Sequence, residues 1–290
     1  MSLVESAIQR AKQMGLGPAA VQGQSGSAAP LRIKALHRHV VHQQRAATVN
    51  PNYPVLVYDE AACAQFHIMT PRAADPAGSA ATLPPYRMLR ARVLQRCRTD
   101  GWSTLAITSP GPGEGKSVTA ANLALALARS GNHDVYLLDL DLRKPSICRY
   151  LGVTPVHELT DYFWGTTPVR DVFFTLRGVE HLSIAGSVQG DTQASELLSG
   201  ERFEQILEYI RHTASNPFIV IDLPPVVVTD DALVVAPRVD ATLLVVSESV
   251  TKRESLARAV DLLADFKVAG IALNRASDSS GAEYYGYYGY

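Results

Sequence analysis

The residues best suited to chemistry in this chain are a lysine, a serine and three aspartates. Lys116 and Ser117 close the run Ser109-Pro110-Gly111-Pro112-Gly113-Glu114-Gly115-Lys116-Ser117. Glycines at 111, 113 and 115 let successive backbone N–H groups turn toward an anion, and a helix beginning here adds the positive end of its dipole. Lys116 offers a point charge to a phosphate and Ser117 a hydroxyl to Mg²⁺. Pro110 stands where the strict phosphate-loop pattern has Gly, so the signal lies in G-K-S together with its setting. That setting is an apolar run before it (Leu105, Ala106, Ile107) and a proline-free, Ala- and Leu-rich stretch from Val118 to Arg129 after it, the strand–loop–helix order a phosphate cradle requires. Gly111, Gly113, Glu114, Gly115, Lys116, Ser117 and Val118 are therefore the expected contacts of a nucleoside triphosphate.

The aspartates end two further apolar runs. Tyr136-Leu137-Leu138-Asp139-Leu140-Asp141-Leu142-Arg143 carries Asp139 and Asp141, and Phe218-Ile219-Val220-Ile221-Asp222-Leu223-Pro224-Pro225 carries Asp222. An acid closing an apolar strand is costly unless it meets a cation, and Mg²⁺ on a triphosphate beside Ser117 supplies one. With the loop, Asp222 reads as the acid of a metal–nucleotide site. Either Asp139 or Asp141 is then free for a second duty. A tyrosine hydroxyl, with an ordinary pKa near ~10, becomes a competent nucleophile when a carboxylate takes its proton during attack. Arg143 either stabilises transferred charge, engages a neighbouring subunit's tail, or forms a plain surface ion pair.

These groups need a scaffold that brings loop and strand ends together. Short apolar runs predict strands over 104–108, 135–139, 182–185, 218–222, 241–246 and 268–273, the last followed by Asn274, which joins the nucleotide-binding set. Helices are predicted near 86–97, 117–130, 195–213, 229–237 and 252–266. Apolar strands without polar alternation, separated by helices, specify an α/β fold: a mostly parallel sheet covered on both faces, with ligand beyond the strands' carboxyl ends. The expected organisation is an N-terminal extension over 1–85, a phosphate-loop domain over 86–275 and a tail over 276–290.

Composition limits the alternatives. The 290 residues are 47% hydrophobic and carry a formal net charge of −1, so one large core is expected and no global field recruits nucleic acid. The three cysteines, Cys63, Cys97 and Cys148, lack metal-ligand spacing and fit a reducing compartment. No apolar run approaches the ~18–20 residues of a membrane span, which places the chain in the cytoplasm, at a membrane only through a partner. In the extension, Ser2-Leu3-Val4-Glu5 predicts a short amphipathic helix, 19–30 has linker composition, and the basic patch from Arg32 to Arg45 reads as a solvated face despite His37, His39 and His42.

A phosphate loop ending G-K-S, an apolar strand ending D-x-D-x-R and another ending D-x-P-P resemble the bacterial tyrosine kinases of polysaccharide synthesis and export, over about residues 84–290. The tail strengthens the likeness. Glu283-Tyr284-Tyr285-Gly286-Tyr287-Tyr288-Gly289-Tyr290 looks like that family's tyrosine cluster, and five of the twelve tyrosines lie in these last residues. Weaker echoes are Ser195-Glu196-Leu197-Leu198, the Met1 to Glu5 start and His67-Ile68-Met69-Thr70-Pro71; the last two are similar to free-standing autokinases of exosortase and exopolysaccharide systems. The resemblance implies a P-loop fold, ATP and Mg²⁺ as cofactors, and autophosphorylation of Tyr284, Tyr285, Tyr287, Tyr288 and Tyr290. It further implies that Asp139 orients or deprotonates the tyrosine while Ser117, Asp141 and Asp222 serve the metal, with Lys116 and Arg143 on the transferred charge. A membrane activator of the chain-length-regulator (polysaccharide co-polymerase) type and a cognate tyrosine phosphatase are the implied partners. Homo-oligomeric rings in the family use an E-x-x-R-x-x-R helix; here Arg87 and Arg90 match the arginines, but Pro84 stands where Glu would be, so one side of the intersubunit pair is missing. The competing reading is an ATPase of the chromosome- or septum-positioning type, whose loops carry an additional lysine that Ser109-Pro110-Gly111 lacks. Replacing Lys116 is expected to abolish phosphorylation with the fold intact, because a loop lysine should contact phosphate rather than core.

Overall fold

A computed structural model describes residues 53–69, 83–248 and 250–276. The predicted N-terminal helix, the linker, the basic patch and the tyrosine cluster lie outside them. Six parallel strands form the main sheet: β2 (Thr104–Thr108), β3 (Asp134–Asp139), β5 (Leu182–Ala185), β6 (Pro217–Asp222), β7 (Ala241–Ser247) and β8 (Val268–Asn274), in the order β5-β3-β6-β2-β7-β8. All six strands expected from the sequence are present. Strands β2, β5 and β7 are buried along their whole length, which is why they read as unbroken apolar runs. Two residues on each of β1 (Val55–Leu56) and β4 (Thr175–Leu176) form a separate parallel pair; they are too short to leave a periodic signal.

Nine α-helices are described: α1 (Glu60–Gln65), α2 (Leu83–Asp100), α3 (Lys116–Ala128), α4 (Ile147–Leu151), α5 (Leu159–Trp164), α6 (Ala194–Ser199), α7 (Glu201–Thr213), α8 (Asp231–Val235) and α9 (Arg253–Leu262). Helix α2 begins three residues before the predicted start, because Pro84 and Pro85 occupy its first turn, where a missing N–H costs nothing. The helix expected over 195–213 is divided at Gly200, whose extended backbone (φ −73°, ψ 171°) ends α6 and starts α7. Helix α3 is buried on nearly every side, consistent with its Ala and Leu content.

One hydrophobic cluster lies on the α3 face of the sheet and another on the α7 face. Residues 53–69, which composition assigns to the extension, join both clusters: Cys63, Ile68 and Met69 are buried in the first, where Phe66 stacks on Tyr150 of α4, and Tyr53 is buried in the second against Phe173. The buried Asn122 of α3 fastens this strap, accepting from the Met69 amide at 2.7 Å and donating to the His67 carbonyl at 2.9 Å.

Candidate active site

Strand register determines the site. Asp139 and Asp222 are direct partners at the carboxyl ends of β3 and β6, and Ile107 of β2 pairs with Asp222 from the other side. The phosphate loop leaves β2 immediately after this point and enters α3 at Lys116. The result is a lysine set among acids. Lys116 Nζ lies 2.7 Å from Asp141 Oδ2 and 3.5 Å from Asp222 Oδ2, and donates to Ser117 Oγ at 3.0 Å. All four side chains are buried, Asp222 completely.

Asp139 is also fully buried. Its Oδ2 accepts from the Ser146 and Ile147 amides, both at 2.9 Å, while Oδ1 has no partner. Burial, reinforced by the Asp222 charge, holds Asp139 well above the ordinary carboxylate range. Burial likewise raises Asp222, with the Lys116 ammonium opposing it. Lys116 moves upward too: desolvation works against its charge, but Asp222 and Asp141 outweigh it. The expectation that Lys116 avoids the core is therefore corrected. The acids at the strand ends surround it.

The loop has its own braces. Gly111 N donates to Glu114 Oε2 at 3.0 Å, and Thr251 Oγ1 donates to Glu114 Oε1 at 2.7 Å. Asn274 Nδ2 donates to the Glu114 carbonyl at 3.0 Å. Gly115 has φ +96°, and a Cβ there would fall 2.1 Å from Asn274 Nδ2; only glycine satisfies both conditions. Thr251 was invisible in the sequence, because its partner is 137 positions away.

Arg143 faces another acid. It grips the fully buried Asp231 through Nε at 2.9 Å and an Nη at 3.4 Å, and its other Nη donates to the Thr192 carbonyl at 2.9 Å. Its partners are Asp231 and Thr192 rather than the acids around Lys116. Asp231 carries no spacing signal that would have found it. In α2, Arg90 donates to the Ala126 carbonyl at 3.0 Å, and Arg87 is exposed. Val118 lies in the first turn of α3, half-buried.

The donor set suits Mg²⁺. Hard oxygens converge (Ser117 Oγ, Asp141 and Asp222), and the unpartnered, buried Asp222 Oδ1 is a polar atom awaiting a cation. No group of three His, Cys, Asp or Glu among the described residues forms a metal cage; Mg²⁺ requires none when phosphates and waters complete its shell.

The profile of the ParA family described as "NUBPL iron-transfer P-loop NTPase" matches residues 102–276. Tyrosine-protein kinase YwqD of Bacillus subtilis is 31% identical over 206 residues, covering 70% of this chain and 85% of the relative. The putative tyrosine-protein kinase CapB of Staphylococcus aureus is 30% identical, covering 70% and 89%. The chain belongs to the bacterial tyrosine kinases. Its fold agrees with the kinase domain of the Escherichia coli tyrosine kinase ETK, at TM-score 0.61 and 26% identity, covering 75% of this chain and 83% of that one. As in that family, the enzyme is a protein-tyrosine kinase on a P-loop nucleotide-binding domain. No helix among the described residues is long and apolar enough to cross a membrane.

Proposed function

We propose that this kinase transfers the γ-phosphoryl group of ATP to tyrosines of its own C-terminal tail, Tyr284, Tyr285, Tyr287, Tyr288 and Tyr290, and thereby regulates exopolysaccharide synthesis or export. The observation that carries the proposal is Lys116 held between Asp141 and Asp222, with Asp139 beneath, at the mouth of a phosphate loop.

The loop amides of 113–117 hold the β- and γ-phosphates, and the Lys116 ammonium turns from the carboxylates to the phosphate oxygens. Ser117, Asp141 and Asp222 would hold Mg²⁺, which would supply positive charge against the phosphates. Asn274 and Glu114 keep the loop in shape around the nucleotide. As Lys116 leaves, the acid cluster is uncovered. A tail tyrosine then attacks: its Oη bonds to the γ-phosphorus, the bond from that phosphorus to the bridging oxygen breaks, ADP leaves with the electron pair, and the phenolic proton passes to a carboxylate. Asp139 is suited to receive it, since its Oδ1 is unpartnered and its proton affinity is raised.

The tail reaches such a site in a second copy, because about ten residues of tether span roughly 35 Å. Each phosphate adds about −1.5 to −2 charge, which drives a phosphorylated tail away from a site lined by three carboxylates. The partners in this reading are a separate membrane activator of the co-polymerase type and a tyrosine phosphatase, with the kinase in the cytoplasm at the inner membrane face. Incubating the purified chain with ATP and Mg²⁺ and mapping phosphotyrosine by mass spectrometry tests the reading. Phosphate on the five tail tyrosines supports it; phosphate confined to the other seven, or none, overturns it.

A further inference from the structure

Beside the phosphate site lies a cleft of about 400 Å³, lined by none of the residues expected to contact nucleotide. Its floor and walls are Val226, Val228, Leu233 and Leu262, and two guanidiniums, Arg143 and Arg258, border it. Two short connections tie it to the chemistry. Arg143 lies two residues beyond Asp141, and the Val226 amide donates to the Ser109 carbonyl at the head of the phosphate loop, at 2.9 Å. The cleft thus lies where the loops after β3 and β6 leave the catalytic acids. Val228 is 61% exposed, although it belongs to a run of three valines.

We infer that this cleft seats a tyrosine ring of the C-terminal tail and so selects the phosphoryl acceptor. The inference rests on the tail being the acceptor, as proposed above. An open cleft with valines and leucines on its walls and guanidiniums at its border is suited to an aromatic ring, which takes dispersion contact from the aliphatic side chains and cation–π attraction from arginine. Charge agrees. Arg143 is paired with Asp231, while the Asp230 carboxylate at the rim accepts from Ser195 Oγ at 3.0 Å and keeps its charge. Arg258 is exposed and has no ion-pair partner among the described residues. The fourteen residues 277–290 contain Asp278 and Glu283 and no lysine or arginine, so the tail supplies the anion that Arg258 lacks.

The tail that fills the cleft comes from a second copy, as proposed above. Its eight residues from 277 to Tyr284 extend to about 26–29 Å. The repeated Tyr-Tyr-Gly pattern lets one ring occupy the cleft while its neighbour meets the γ-phosphate.

The test uses the full chain carrying Arg258→Glu or Val228→Asp, surface changes outside the nucleotide site, and a synthetic peptide of residues 277–290 as acceptor. The KM for the peptide should rise about tenfold or more in each variant, with KM for ATP unchanged. An unchanged peptide KM, in a protein that phosphorylates its tail normally, overturns the seat and leaves the kinase reading intact. A wild-type chain that never phosphorylates the peptide overturns the tail reading on which the seat depends. Binding is read separately from catalysis by placing a photoreactive benzoylphenylalanine at Val228. Cross-links to residues 283–290 support the seat, and their absence refutes it.

Discussion

Replacing Lys116 with methionine removes the cation that, among the described residues, pairs with the buried acids of this cluster. In the native arrangement its ammonium lies 2.7 Å from Asp141 and 3.5 Å from Asp222, and Asp139 is the β-sheet partner of Asp222. With Lys116 at 9% exposure and Asp222 at 0%, water cannot substitute fully. Removing one partner of a buried pair costs about 3–5 kcal/mol, against a total of roughly 5–15 kcal/mol for a domain. Lys116→Met is therefore expected to lose a large part of the fold's stability at pH 8 as well as its kinase activity.

The loss depends on pH, and its sign follows from linkage. Asp139 and Asp222 have raised proton affinity in the folded chain, and losing the ammonium raises it further. A folded state that binds more protons than the unfolded one loses stability as pH rises above the unfolded carboxylate pKa. The deficit should thus shrink on acidification from pH 8 to 6. Urea denaturation of wild type and variant at both pH values measures it directly. Adding Asp222→Asn to Lys116→Met should recover roughly half of the loss, by removing one uncompensated charge. A variant within about 1 kcal/mol of wild type at pH 8, with no pH dependence of the difference, would refute the account.

Gly115→Ala forces a Cβ onto Asn274 Nδ2 at a residue with φ +96°; ATP affinity should fall by about tenfold or more, by calorimetric titration, with little change in circular dichroism. Asn122→Ala removes both partners of the strap that Met69 N and His67 O provide, and should cost about 1–3 kcal/mol in urea unfolding and speed proteolysis near residue 69; unchanged proteolysis counts against the strap. Asp139→Asn should impair transfer to tyrosine more than Mg²⁺-ATP binding, whereas Asp222→Asn should impair both; equal losses of nucleotide affinity would invalidate this division. Deleting residues 284–290 should remove most phosphotyrosine while ATP titration stays normal, since the described core ends at Ala276.

The sequence by itself determined the fold class and the identity of the acids. Buried parallel strands need apolar residues on both faces, so β2, β3, β5, β6 and β7 announce themselves as runs, the edge strand β8 reads as one although Ile271 and Leu273 are exposed, and Asp139, Asp141 and Asp222 stand out as charges at the strand ends. Gly115 and Lys116 were legible because a phosphate loop is local, its glycines and helix start lying within a few residues. Tertiary structure decided what those acids face. Strand order, which no local pattern encodes, brings β3 beside β6 and β6 beside β2, and only then does Lys116 become the buried counterion of Asp141 and Asp222. The same holds for Arg143, whose partner Asp231 is 88 positions away, and for the Thr251 and Asn274 braces, 137 and 160 positions from Glu114. Residues 53–69 belong to this second class: a two-residue strand and a six-residue helix are too short to show periodicity, and they hold their place through contacts to α3 and α4 that exist only once the sheet has formed.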